Sequence, residues 1–164
     1  MIDILKTPLE NLLDLVNAAN SLTISDAQVT AAAPEVIGSE TDPINTSVVL
    51  TAVPLGGYTG TVEVSYRRLR LDANVVAPQE TFFTDDTTLL SDLKTTIATA
   101  LNLLEDQFSF SGTLPGYFGE ITVGTLTASA GSLLYVGTLN INMEWSTALD
   151  DAVGITSLGG FTPA

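Results

Sequence analysis

The chain has 164 residues, with nineteen Asp and Glu against five Lys and Arg, a formal net charge of −14, and neither histidine nor cysteine. This composition removes the imidazole proton shuttle, the thiolate nucleophile and the soft metal ligands from which most active sites are built. It also repels phosphate backbones and anionic lipid. The expected protein is therefore not an enzyme, with no nucleic acid or membrane surface as partner, and a basic protein or a cation fits its charge better.

Hydrophobic residues make up 45% of the chain and charged residues 15%, and mean hydropathy is +0.35. At 17.2 kDa such a chain is long enough to bury one ordinary core without disulfide staples. Its Thr-rich, charge-poor remainder suits strands and close subunit packing, so obligate assembly is the expectation. The opening Met1-Ile-Asp-Ile-Leu-Lys6 carries acid early and lacks the apolar run of a secretory signal. No stretch approaches the roughly 18 uninterrupted apolar residues of a spanning helix. The absence of Cys fits a reducing compartment.

Thr7-Pro8-Leu9-Glu10 predicts a helix start, with Thr7 as N-cap, Pro8 at the first helical position and Glu10 reaching back to the cap. Leu9, Leu12, Leu13 and Val16 then form a one-sided stripe, and Asn17, Asn20 and Ser21 end the helix near residue 20. Residues 22–37 read as mostly extended, with Pro34 confining its segment to a sheet edge or a strand end. Residues 38–45 form a loop. Residues 47–53 and the run from Thr59 read as the arms of a hairpin around Pro54-Leu55-Gly56-Gly57-Tyr58. In the second arm Val62, Val64 and Tyr66 share one face and Glu63, Ser65 and Arg67 the other. Past Tyr66 the alternation inverts, which implies a bulge or a change of packed face.

Residues 72–84 read as irregular, and Asp85-Asp86-Thr87 is expected to open a second helix, with acid at its positive end. Leu90, Leu93, Ile97, Leu101 and Leu104 carry that helix to about residue 103 or 104. Residues 107–114, 120–128 and 133–145 read as three strands. In the last, Leu139, Ile141, Met143 and Trp145 alternate with Asn140, Asn142 and Glu144. The tail is expected to form a short helix over residues 148–153 followed by an arm. Segregated helices and hairpins imply one α+β domain over residues 1–164, a mostly antiparallel sheet with two amphipathic helices and residues 146–164 as the C-terminal arm.

The acid pairs Asp85-Asp86, Glu105-Asp106 and Asp150-Asp151 lack metal-loop spacing and read as solvated helix ends. The glycines around Tyr58 lie between strands and lack a following Lys, so they are turn residues and not a phosphate cradle. Ser91-Asp92-Leu93-Lys94 is a Ser-x-x-Lys match within a helix and without companion motifs. The aromatics Tyr58, Tyr66, Tyr117, Tyr135, Phe118 and Trp145 read as core and sheet packing. Arg67-Arg68-Leu69-Arg70 holds three of the five cations on one predicted strand, where Arg67 shares a face with Leu69 and Arg68 with Arg70. Arg67, Arg68 and Arg70 are the candidate interface residues: either charges that protect an edge strand, or a docking strip for the carboxylates of an adjacent subunit.

Residues 12–20, 22–29, 46–51, 60–71 and 89–94 together resemble a type of small virion structural protein found in large tailed bacteriophages. The resemblance extends over about residues 9–110 and has the warrant of analogy. It implies a multi-copy capsid decoration or tail subunit, assembled in the host cytoplasm, that binds itself and other virion proteins and needs no cofactor. The alternative expectation is a soluble acidic binding module for a cation or a glycan.

Overall fold

The structure, a computed structural model, describes residues 2–74 and 81–146. Helix α1 (Pro8–Asn20) starts as its sequence predicts. The Thr7 hydroxyl accepts from the Glu10 N–H at 3.2 Å, and the Glu10 carboxylate accepts from the Thr7 N–H at 2.7 Å. Ser21, in the left-handed conformation, ends it. Asn17 then fastens the departing chain, its amide bonding both the N–H and the C=O of Ile24 at 2.8 Å.

The first sheet contains β1 (Val29–Ala31), β2 (Glu35–Val36), β3 (Thr46–Ala52) and β4 (Thr61–Tyr66). Strands β1 and β2 lie end to end along one edge of β3, and β4 runs antiparallel along the other. Pro34 falls in the break between β1 and β2, as expected of a residue with no N–H to give a ladder. Leu12 and Leu13 of the helix bury against Val29, Val48 and Leu50 of the sheet. Each such side chain contributes about 2 kcal/mol of burial.

After Tyr66 the chain leaves this sheet. It forms β5 (Leu69–Arg70), a 3₁₀ turn over Leu71–Asn74, β6 (Thr81–Thr84) and α2 (Leu90–Ala100). A second 3₁₀ turn, Glu105–Gln107, leads to β7 (Phe108–Ser111), β8 (Ile121–Ala128), β9 (Tyr135–Val136) and β10 (Thr138–Trp145). The second sheet has the order β6-β10-β8-β7. Its pairings are antiparallel except β6 with β10, and a two-residue parallel ladder joins β5 to β9. Leu93 and Ile97 of α2 pack with Phe108, Leu126, Ile141 and Met143 in the larger core. Leu133 touches both cores. The result is an α+β domain of two helix-backed, mostly antiparallel sheets, and no helix among the described residues is long and apolar enough to cross a membrane.

Several expected boundaries move. The second helix begins at Leu90, not at Asp85, because the Asp85 carboxylate is spent on a turn, accepting from the Thr87 N–H and from the Thr87 and Thr88 hydroxyls. It ends at Ala100 because Asn102 is left-handed and the Leu103 N–H returns to the Ala98 C=O at 2.8 Å. The strand expected over residues 133–145 is broken at Gly137, whose φ of +77° no extended ladder accommodates. The strand expected to run through Arg70 stops at Tyr66, so Arg67 and Leu69 do not share a strand. Residues 72–84, expected to be irregular, contain the end of a 3₁₀ turn and the whole of β6. The expected helix and arm beyond residue 146, and the Asp150-Asp151 pair, lie outside the described residues.

Candidate functional site

The three clustered arginines have three different fates. Arg68 turns inward and is 4% exposed. Its Nε–H donates to the Thr46 hydroxyl at 2.7 Å and an Nη1–H to the Ser132 C=O at 2.8 Å. Asn45 completes the seam, accepting from the Arg68 N–H and from the Thr46 hydroxyl at 2.9 Å each. Ser132 in turn donates to Gln107 at 3.0 Å, which carries the network to the second sheet. Burial lowers the Arg68 pKa, opposed by the neighbouring Tyr66 and Glu40. Arg70 is partly exposed and forks onto the Asp72 carboxylate. Arg67 is exposed, and among the described residues it forms no ion pair.

Arg67 stands at the end of an open edge. Among the described residues β4 pairs with β3 alone, so its far side is an unclaimed row of backbone donors and acceptors. A groove of about 230 Å³ opens at the Tyr66 end, where Leu12 and Leu15 face Tyr66, Arg67 and Leu133. A second, of about 420 Å³, opens at the other end, where Val16, Leu22 and Ile24 face Val62 and Val64. Leu15 is 53% exposed and Val62 55%. Burying such a side chain against a neighbour contributes about 2 kcal/mol.

Two further apolar surfaces lie outside the sequence-based candidates. Leu55, at the tip of the β3–β4 hairpin, is fully exposed and left-handed, with φ of 69°. On the outward face of the second sheet, Glu144 of β10 lies between Phe83 of β6 and Ile121 of β8, both mostly exposed. Tyr58, Tyr117 and Phe118, expected as packing residues, are exposed, whereas Tyr135 is sealed in the core. The signal available for Leu15 was its position off the Leu9, Leu12, Leu13, Val16 stripe, on a helix with more leucine than one face needs.

Members of the acidic and hydroxyl constellations make contacts within the chain. Glu105 accepts from the Thr95 hydroxyl, and Lys94 of the Ser-x-x-Lys match lies 5.2 Å from the Phe108 ring centroid, a cation–π contact. The glycine loop is a hairpin turn held by Gln28, whose amide donates to the Gly56 C=O at 2.9 Å. Among the described residues no three acidic side chains converge as a metal site would require. What the geometry offers is therefore an edge and its grooves, chemistry suited to backbone pairing and apolar contact.

No curated protein and no solved structure matches the chain. One family profile matches residues 1–163, and on that match the chain belongs to DUF7941, a family of unknown function.

Proposed function

We propose that this chain is a non-enzymatic structural subunit that acts in many copies through protein–protein contacts. The particle it serves is a tailed bacteriophage virion, in which it is a capsid decoration or tail subunit assembled in the host cytoplasm with other virion proteins. The observation that carries the assembly reading is the open β4 edge with an apolar groove at each end. A lone soluble domain protects a six-residue edge strand with several charges, a proline or a bulge. Strand β4 has only Glu63. The exposed row of Phe83 and Ile121 supports the same reading. The virion assignment rests on the sequence resemblance described above.

Two measurements test it. Light scattering and electron microscopy of the purified chain, alone and with particles of a phage encoding it, are expected to show ordered association or docking. Mass spectrometry of purified virions is expected to find the chain in many copies per particle. Absence from the particle together with turnover of a substrate by the isolated chain would overturn the proposal.

A further inference from the structure

The β3–β4 hairpin ends in an apolar point that its own chain leaves uncovered. Leu55 is fully exposed and left-handed, a conformation that costs a non-glycine residue energy and is kept where a function holds it. The tip is also stiff. The Gln28 amide donates to the Gly56 C=O at 2.9 Å, and the Val53 N–H donates to the Gln28 C=O at 2.8 Å.

The groove at the Tyr66 end is the counterpart of this tip. Leu12, Leu15, Leu69, Leu133 and Leu134 line its volume of about 230 Å³. An apolar cavity of about 150 Å³ holds a benzene ring, whereas drug-sized ligands occupy roughly 300–1,000 Å³. The groove is therefore of a size for one large apolar side chain. Its buried polar groups are already bonded: the Asn11 amide donates to the Asp3 C=O at 2.9 Å, and the Tyr66 hydroxyl to the Leu133 C=O at 2.9 Å. Of the lining residues, the exposed Arg67 keeps an unspent charge, since it forms no ion pair among the described residues.

Tip and groove lie at opposite ends of one hairpin. Thr61, opposite Thr51, begins β4 on the tip side, and Tyr66, opposite Thr46, ends it at the groove. Six extended residues hold the two ends about 20 Å apart. The two cannot meet within one chain, but they meet when copies stack along the strand direction.

We infer that Leu55 of one copy seats in the groove lined by Leu12 and Leu15 of the next, joining copies head to tail along the hairpin. This inference rests on the assembly reading above and names the partner and the contact. Such a contact leaves a free tip and a free groove at its ends, so it closes into a ring or grows into a filament. Charge agrees with it. The turn that holds the tip, in which the Gln28 N–H donates to the Ser25 C=O at 3.0 Å, carries the exposed Asp26. Arg67 offers that acid a cation, one of five in a chain of net charge −14. Phe83 and Ile121 suit the groove less well, because they rise from a sheet face and not from a protruding tip.

Light scattering of the full chain across a concentration series tests the inference. The native chain is expected to grow past a dimer mass as concentration rises. Leu55→Gly removes the tip and Leu15→Gln spoils the groove, both at exposed positions. Each is expected to weaken association roughly tenfold or more, the loss that follows from one unburied leucine side chain. Each variant keeps the half that the other has lost. An equimolar mixture is therefore expected to form one-to-one pairs that stop at the dimer, because the tip of the Leu15→Gln chain enters the groove of the Leu55→Gly chain and both remaining ends are defective. Variants that merely lost their fold would form no such pairs. A native chain that stays monomeric or stops at a dimer overturns the contact, as does a mixture that associates no better than its components. A monomer that still enters virions overturns this inference alone, whereas a monomer absent from virions overturns the assembly reading with it.

Discussion

Arg68 Nε donates to the Thr46 hydroxyl at 2.7 Å, a bond spanning 22 residues of chain and sealed between the two sheets. The cation is satisfied by neutral oxygens, and among the described residues no carboxylate lies within ion-pair distance of it. Arg68→Met exchanges two charged hydrogen bonds for a smaller desolvation cost. The bonds outweigh the relief, because Met leaves the Ser132 C=O without its donor. The expected loss is about 2 kcal/mol in chemical denaturation. A variant more stable than the native chain would show that the buried cation serves something other than stability.

Tyr66 gives the domain an alkaline limit. Its hydroxyl donates to the Leu133 C=O at 2.9 Å, and burial pushes its pKa from 10.0 to about 12, opposed by Arg68. The unfolded chain loses this proton first, so the folded state holds more protons between those two values and stability falls as pH rises through that window. Below pH 10 the contribution is intact. Denaturation midpoints are expected to drop on passing from neutral pH into the window, and Tyr66→Phe is expected to reduce that drop. Part of it should remain, because burial raises the Tyr135 pKa as well.

The parts of the fold legible in the sequence were those fixed by neighbours in the chain. The cap of Thr7 and Glu10 spans three residues, and the alternation that paired β3 with β4 lies within one hairpin. The inversion after Tyr66 was visible, but its cause was not: Arg68 turns inward to reach Ser132, 64 residues away. Likewise Asp85 looked like the start of a helix, and only its bonds to Thr87 and Thr88 show it closing a turn instead. The arginine cluster was recognisable as a group, yet which member stays at the surface depends on the far side of the domain. Arg67 does so one residue past the end of β4, beside the groove that Leu12 and Leu15 of α1 line.

Leu55 stores strain at an exposed tip. A left-handed backbone costs a non-glycine residue about 1–2 kcal/mol, and glycine costs roughly 0.5–1 kcal/mol in unfolded-chain entropy. Since Leu55 is fully exposed, it recovers nothing from packing within its own chain. Leu55→Gly is therefore expected to raise stability by roughly 0.5 kcal/mol, measured by thermal or denaturant unfolding. If the tip contacts a neighbour, the same variant associates more weakly, and stability and assembly move in opposite directions.

Gly137 divides what reads as one long strand into β9 and β10. Its φ is +77°, and a Cβ there would sit 2.8 Å from Glu40 Oε2. Two costs thus oppose Gly137→Ala, a backbone strain of about 1–2 kcal/mol and a contact with Glu40. The contact is with the far end of an exposed, flexible side chain, which can swing aside. Strain is the larger cost. Gly137→Ala is expected to lower stability by about 1–2 kcal/mol, and Glu40→Ala in the same chain is expected to recover little of it. Full recovery in the double variant would show instead that the carboxylate contact sets the glycine requirement, and would make Glu40 the residue that holds the break between β9 and β10.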